Sequence, residues 1–280
     1  MSRPRPVTTV LPAPMEDHGR GFRAASVRPG PGLDLDPLLG VDHFVMALPF
    51  FAPHPHAGFS AVTYLFPGSR GGFRNRDSRG TDVPIRPGDL HWTQAGSGIV
   101  HDEVPATPGV PVHGLQLFVN LATDLELTPP RILRAGADEV PRLDVGAGAE
   151  VRVVVGRAGG VEAAVRPSTD ALVVDVSLAP GAVLVLPLDP AHRVHALGID
   201  GDGSVGDTPI AADRLLGLGE GDAVELAAGP SGLHVVLLGG TPVRSPKVWD
   251  GPFALSTPER LADARVRYAR GDLGRLAPLG

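Results

Sequence analysis

The sequence predicts a mostly β protein built from two domains, and its length and composition support this prediction. A chain of 280 residues fits two domains of ordinary size, and an apolar content of 42% is enough to bury a core in each. The 37 glycines and 30 prolines interrupt the apolar runs at short intervals, which is typical of β-sandwiches and β-barrels. A helix-rich protein would not tolerate so many helix-breaking residues.

Two short segments near predicted strands carry metal-binding side chains at positions i and i+2. The first contains His54 and His56, and the second contains His101 and Glu103. Alternate strand residues point to the same face, so neighbouring strands could bring three imidazoles and one carboxylate to a single divalent transition metal. Asp102 should then point to the opposite face. Each pair alone is weak evidence, because one such pair often occurs by chance in a surface loop.

The absence of cysteine limits the kind of metal site that this chain can form. Without cysteine there is neither a disulfide framework nor a thiolate ligand, so a metal must bind nitrogen and oxygen atoms. The first six residues are not followed by an apolar stretch long enough for a signal peptide, and no segment is apolar enough to span a membrane. We therefore expect a soluble cytoplasmic protein without membrane contact.

The charge pattern argues against direct nucleic-acid binding. The formal net charge is −6. Arginines are densest between residues 70 and 79, but Asp77 and Asp82 interrupt them, and Gly71 and Gly72 indicate a hairpin loop. This stretch is predicted to be a solvated loop.

The two halves of the chain show an internal repeat. Residues 88–101 match residues 221–234 without a gap, which places His234 opposite His101 and Val236 opposite Glu103. The same comparison places residues 186–188, Leu-Pro-Leu, opposite the first histidine pair at 54–56. The second half is therefore predicted to share the scaffold without the metal ligands, with His234 as a core or rim histidine.

The C-terminus departs from the β pattern and predicts one helix. Ser256 and Thr257 are capping residues, and a proline and a glutamate follow them. Gly271 is placed to end the helix. Its predicted apolar stripe, which should pack on the outside of a barrel without a chemical role, comprises Leu261, Ala264 and Tyr268.

The ordered set of motifs resembles the pirin family over nearly the whole chain. The motifs are His-Pro-His-x-Gly-Phe at 54–59, Val-Thr-Tyr at 62–64, Arg-Asp-Ser at 76–78, Pro-Gly-Asp at 87–89, Ala-Gly-Ser-Gly-Ile-Val-His at 95–101 and Gly-Pro-Phe at 251–253. The resemblance implies an all-β fold of two cupin barrels (double-stranded β-helix, or jelly-roll) face to face, with a C-terminal α-helix. The expected domains are a metal-binding cupin at 1–132 and a second cupin at 133–280.

The resemblance also implies a cofactor and two alternative functions. It implies one iron ion, expected as Fe(II), held by His54, His56, His101 and Glu103, although these ligand types also suit Mn, Co, Ni, Cu and Zn. Some pirin-like proteins are flavonol 2,3-dioxygenases, which open quercetin with dioxygen and release carbon monoxide. Eukaryotic members are described as iron-dependent transcriptional coregulators, which would act through a protein partner.

The leading hypothesis is a dioxygenase that acts on a flavonol or a related enolisable aromatic compound. In this hypothesis Glu103 accepts the proton of the substrate hydroxyl. The first alternative is an iron-binding regulatory protein without turnover. A metal enzyme that acts as a Lewis acid without consuming dioxygen, such as an isomerase, is the second.

Residues behind the ligands should orient them, and His91, Gln94, Gln116 and Asn120 are the candidates. His91 either faces the barrel interior or lies at the surface, and the surface is favoured. Gln116 shares one strand face with Phe118, and either face of that strand could point inward.

Overall fold

The computed structural model describes residues 2–277 and confirms an almost entirely β architecture that ends in one helix. The strands of the first half are β1 (Val7–Pro12), β2 (Glu16–Asp17), β3 (Phe22–Val27), β4 (Leu38–Met46), β5 (His54–His56), β6 (Phe59–Leu65), β7 (Phe73–Asp77), β8 (Asp82–Ile85), β9 (Leu90–Gln94), β10 (Ile99–Pro105), β11 (Val112–Asn120) and β12 (Arg131–Ala135). The elements of the second half are β13 (Arg142–Leu143), β14 (Ala149–Val155), β15 (Arg157–Ala158), β16 (Val161–Glu162), β17 (Ala171–Leu178), β18 (Val183–Pro187), β19 (Arg193–Val205), β20 (Thr208–Ala211), β21 (Arg214–Leu218), β22 (Ala223–Gly240), β23 (Val248–Asp250), β24 (Phe253–Leu255) and α1 (Pro258–Arg270).

The strands form two barrels. The first combines a seven-stranded sheet, in the order β12-β9-β6-β11-β4-β3-β2, with a four-stranded sheet, β5-β10-β7-β8. The second is one nine-stranded sheet in which β1 pairs with β21, so the first strand of the chain completes the second barrel. Strand β12 spans the expected boundary between residues 132 and 133 and pairs with β9. That boundary stays a prediction.

The barrels pack against each other through the outer faces of their large sheets. Val62 and Tyr64 on β6 belong to the same buried cluster as Val173 on β17 and Val236 on β22. The alternate residues of β6 line the interior of the first barrel, which explains why this strand is buried along its whole length. One apolar layer therefore lies between the interiors of the two barrels.

A polar group of three side chains, Tyr64, Asp175 and His234, crosses this apolar layer. The Tyr64 hydroxyl donates to Oδ2 of Asp175 at 2.7 Å, and Oδ1 of Asp175 lies 2.6 Å from Nε2 of His234. The His234 ring also contacts Phe66, with ring centroids 4.9 Å apart. His234 is thus a histidine at the rim of the contact between barrels, as expected.

Both halves form the same kind of barrel, but the predicted match of residues 88–101 with residues 221–234, which aligned His234 with His101, is wrong by one strand. His101 on β10 pairs with His54 on β5, and the equivalent pair in the second barrel joins Val224 on β22 to Leu186 on β18. His234 lies further along β22, in the part that pairs with β17 and β19 as β11 pairs with β4 and β6. Strand β22 is one long strand whose first part corresponds to β10 and whose second part corresponds to β11. The equal residue spacing in the two halves concealed this shift.

The positions equivalent to the ligands are therefore apolar in the second barrel. Leu186 and Leu188 correspond to His54 and His56, Val224 corresponds to His101, and Leu226 corresponds to Glu103. All four are buried in one hydrophobic cluster.

Helix α1 confirms the predicted helix and its boundaries. The Thr257 side chain accepts the backbone N–H of Arg260 at 3.3 Å, and Gly271 ends the helix in the left-handed conformation at φ 85°. Leu261 and Ala264 are buried as expected, but the Tyr268 side chain is exposed, which corrects the predicted stripe. Within residues 2–277, no helix has both the length and the apolar content that a membrane span requires.

The arginine-rich stretch is more ordered than the sequence predicted. Two of its arginines lie on β7, where Arg74 forms an ion pair with Asp82 and Arg76 forms one with Asp102. In the second pair Asp102 is buried and Arg76 is half-buried, and Asp102 points away from the barrel interior as expected. The prediction of a solvated loop was wrong for Arg74 and Arg76, which lie on a strand beside carboxylates of the neighbouring strands, whereas Arg70 and Arg79 are exposed outside the strands.

The polar group between the barrels gives a test of the fold. Replacing Tyr64 with Phe leaves Oδ2 of buried Asp175 without its donor, so the free energy of unfolding should fall by about 1–3 kcal/mol. Urea denaturation measures this change. The matched control is Tyr268→Phe on the exposed face of α1, which should change stability by less than about 0.5 kcal/mol. Equal effects of both substitutions would contradict the proposed role of the group.

Candidate metal centre

Three of the four predicted ligands meet at one point because β5 and β10 pair in antiparallel register. His101 lies directly opposite His54, and His56 is one step along the same face. The three rings form a triangle whose centroids are each 4.8 Å from the others. One nitrogen from each ring lies within 4.8 Å of the other two, which is an arrangement that can hold a metal ion.

The hydrogen bonds of two rings leave the same nitrogen free for a metal. Nδ1 of His54 lies 2.9 Å from the carbonyl oxygen of Ala52, and Nδ1 of His56 lies 3.4 Å from that of Pro252. A carbonyl oxygen only accepts, so each Nδ1 carries the hydrogen and each Nε2 keeps a lone pair. Nδ1 of His101 is buried without a partner. The donor set therefore fits a divalent metal.

Burial keeps these imidazoles neutral, as metal ligation requires. It lowers the pKa of His54 and lowers that of His56 to about 3, where the neighbouring His54 ring adds to the effect. Burial also lowers the pKa of His101 well below its usual value, and the rings of His56 and His54 add to this effect. At neutral pH the site presents lone pairs without a proton to displace.

Glu103 lies in the same cavity but is held by a hydroxyl. The Thr63 hydroxyl lies 2.7 and 2.8 Å from the two carboxylate oxygens of Glu103. Burial raises the pKa of Glu103 to about 7, the Thr63 hydrogen bond opposes this shift, and Asp102 adds to it. Among the described residues, the cluster of ligand atoms within 4.8 Å consists of the three histidines. Glu103 as the fourth ligand stays a prediction.

The predicted supporting residues have different positions. Gln116 points into the cavity and, with its amide oriented to satisfy its neighbours, donates to Oε2 of Glu103 at 3.2 Å and to Oγ1 of Thr63 at 3.0 Å. The sequence left open which face of β11 points inward, and it is the face that carries Gln116 and Phe118. His91 is buried, so the favoured surface position was wrong.

Gln94 and Asn120 make their contacts elsewhere. Gln94 lies on the opposite face of β9 from His91 and donates to Oγ1 of Thr128 at 3.4 Å. The Asn120 amide donates to the carbonyl oxygen of Ser245 at 3.2 Å. Neither contact involves a candidate ligand.

The histidines open into a cavity of about 680 Å³. Its lining includes eight aromatic side chains: Phe22, Phe44, Phe50, Phe51, Phe59, Phe73, Phe118 and Trp249. The Trp249 ring is stacked on Phe59 at 5.5 Å and meets Phe118 edge-on at 5.7 Å. A flat aromatic molecule matches such walls.

Sequence reasoning missed the contribution of the second half of the chain to this cavity. Trp249 and Gly251 line it, and Pro252 supplies the carbonyl that orients His56. No local pattern links these residues to the histidines, because nearly two hundred residues separate Pro252 from His56.

The polar part of the lining includes Arg28 and Asp42, which form a bidentate ion pair at 2.7 and 2.9 Å.

Comparison with known proteins agrees with this architecture. The family model described as Pirin matches residues 40–119, and the one described as Pirin C-terminal cupin domain matches residues 173–274. Pirin from Rattus norvegicus is 35% identical over 98% of this chain and 95% of the rat protein. These matches, with the two barrels, confirm the expected two-cupin fold.

Two solved structures are also similar. Quercetin 2,3-dioxygenase from Acinetobacter baumannii superimposes with a TM-score of 0.88 at 25% identity, covering 98% of this chain and 100% of that one. A bacterial pirin from Escherichia coli, solved in complex with nickel(II), superimposes with a TM-score of 0.64 at 17% identity, covering 84% and 99% of the two chains. The second likeness shows the fold alone.

The three-histidine cluster predicts one metal ion per chain. His101→Ala removes the ligand that β10 contributes, so bound Fe(II), Co(II) or Ni(II) should fall from about one equivalent to near zero after gel filtration. Elemental analysis measures the content. The matched control is His192→Ala, a buried histidine of the second barrel that contacts Asp170, and it should keep the metal. Equal metal content in both variants would rule out the cluster as the binding site.

Proposed function

The chain belongs to the pirin family, and we propose that its first barrel is an iron-dependent dioxygenase that cleaves a flavonol such as quercetin or a related enolisable aromatic compound. The observation that carries the proposal is the position of three neutral imidazoles at an aromatic-walled cavity of about 680 Å³. The similarity to the quercetin 2,3-dioxygenase of A. baumannii supports the substrate class.

The metal would be held by His54, His56 and His101, with Glu103 proposed as the fourth ligand. When bound, iron would supply a Lewis acid that favours loss of the flavonol hydroxyl proton, and a redox centre for dioxygen. The choice of iron follows from the family resemblance, since imidazole and carboxylate ligands also suit other divalent ions.

The cavity walls would bind and orient the substrate rings. Phe59 and Trp249, which stack on each other, and Phe118, which meets both edge-on, line the cavity. Stacking on aromatic rings and exclusion of water both favour a flat, mostly apolar substrate. Gln116 and the Arg28–Asp42 pair provide donors and acceptors for hydroxyl groups at the rim.

Glu103 would accept the proton of the substrate hydroxyl. It lines the cavity, and Thr63 and Gln116 hold its carboxylate in place. A base must reach the proton within hydrogen-bond distance in a plausible substrate pose, and the shared strand face of Glu103 and His101 provides that proximity.

To test the proposed function, the protein is loaded with Fe(II) under anaerobic conditions. Quercetin and dioxygen are then supplied, and oxygen uptake and the loss of quercetin absorbance are measured. Both signals should appear together in the unchanged protein, and both should vanish in His101→Ala. Loss of quercetin without oxygen uptake would indicate Lewis-acid chemistry. No turnover with iron bound and quercetin supplied would reject flavonol cleavage and favour the regulatory alternative.

The role of Glu103 gives a sharper prediction. Glu103→Gln keeps the shape and the contact to Thr63 but removes the base, so kcat should fall by about 10²–10⁴-fold while most of the iron is retained. The measurement pairs kcat with iron content for each preparation. A parallel loss of kcat and iron would show that Glu103 acts chiefly as a ligand.

A further inference from the structure

Six buried polar atoms beside the candidate metal centre have no hydrogen-bond partner. Two belong to the amide of Asn75, the cross-strand partner of Glu103, and the other four are Nδ1 of His101, both ring nitrogens of His91, and Oδ2 of Asp77. Buried polar groups are almost always paired, and leaving one unpaired is costly. The last four, in three neighbouring residues, therefore call for a common explanation.

Asp77 lies next to His101 across the strand pair. The two residues are direct partners in the antiparallel register of β7 and β10. Direct partners project to the same face, with Cβ atoms about 4.5–5.5 Å apart. Both side chains are buried, with exposed fractions of 3%. The carboxylate of Asp77 therefore faces the same interior as the His101 ring.

His91 reaches the same interior from the opposite sheet. It is the direct partner of Thr63 in the β6–β9 pair, and the Thr63 side chain contacts Glu103 inside the barrel. Its neighbours on β9, Leu90 and Trp92, point the other way, into the cluster between the barrels. The exposed fraction of His91 is 1%.

The three groups also interact electrostatically. Burial lowers the pKa of His101 first, and the rings of His56, His54 and His91 add to this effect. Burial and then Arg134 lower the pKa of His91 to about 4, and the Asp77 carboxylate acts in the opposite direction. These influences agree with the strand positions that bring His91 toward both groups.

The donors and acceptors of these residues are complementary. His54 and His56 each direct Nδ1 at a backbone carbonyl, whereas His101 has no such carbonyl. Neutral His91 offers one donor and one acceptor. Oδ1 of Asp77 already accepts the backbone N–H groups of Arg79 at 2.8 Å and Thr81 at 3.0 Å, which leaves Oδ2 available.

We propose that His91 is a positioning residue that links His101 to Asp77 through a hydrogen-bond relay. Nδ1 of His101 donates toward one ring nitrogen of His91, and the other ring nitrogen donates toward Oδ2 of Asp77, with ordered water able to bridge the gaps. The relay fixes the His101 tautomer and directs Nε2 to the metal, as the carbonyls of Ala52 and Pro252 do for His54 and His56. This inference rests on the proposed metal centre and is independent of the reaction catalysed there.

The test measures Co(II) affinity by competition with a chelator, together with the visible spectrum of the bound Co(II). His91→Leu removes both relay contacts, and Asp77→Asn keeps the oxygen that caps the turn while replacing the acceptor Oδ2 with a donor. Each should weaken Co(II) binding by about 10–100-fold and shift the spectrum. His91→Gln retains a donor and an acceptor and should recover most of the affinity.

A matched control separates the relay from a general effect of removing a buried histidine. His195 of the second barrel has an exposed fraction of 4%, and its Nδ1 is also unpartnered. His195→Leu should leave Co(II) affinity and the spectrum unchanged. Both changes break the same relay, so their effects should not add. The Co(II) affinity of the double variant His91→Leu/Asp77→Asn should equal that of the single variant with the lower affinity.

The outcomes distinguish the relay from the proposed function. Unchanged affinity and spectrum in Asp77→Asn, or in folded His91→Leu, would overturn the relay. Failure of the unchanged protein to bind Co(II) would overturn both the relay and the metal centre. Intact Co(II) binding with the predicted losses, but no quercetin turnover by the Fe(II) protein, would support the relay and reject only the dioxygenase.

Discussion

The antiparallel register of β5 and β10 is the constraint on which the site depends. It places His101 opposite His54, and the pleat then brings His56 to the same face. A slip of one residue would turn one set of side chains away from the interior. Strand β10 also pairs with β7 on its other edge, which fixes the register from two sides and brings Asp77 beside His101. The strand pairing is thus both a folding element and the frame of the candidate metal centre.

The second half of the chain completes the site in the first barrel. The segment of β23 and β24 carries Trp249 into the cavity wall, and the Pro252 carbonyl orients His56. This segment lies close to the residues that directly follow β5. Gly58 has φ 87°, and a Cβ there would lie 2.1 Å from the carbonyl oxygen of Ala254. Only glycine allows both the turn and the contact. The segment of β23 and β24 therefore completes the cavity of the first barrel, where, within residues 2–277, the three-histidine cluster lies.

Burial has several consequences that favour the same chemistry. The apolar cavity walls lower the pKa of the three histidines and raise that of Glu103, because a low-dielectric surrounding disfavours every charged form. Neutral imidazoles are the form that binds a metal, and a carboxyl group with a pKa of about 7 is suited to exchange a proton. In the second barrel, apolar side chains fill the equivalent positions and form a packed core.

The sequence alone determined the fold class, the C-terminal helix with its caps, and the three histidines that meet, because these follow from local periodicity and residue chemistry. The buried position of His91, the inward face of Gln116, and the equivalence of Val224 to His101 were decided by the tertiary structure. Each depends on which strands pair and in what register, and those partners are distant in sequence. Trp249 and Pro252 are the extreme case, since their place beside the histidines arises only when the second half of the chain packs against the first.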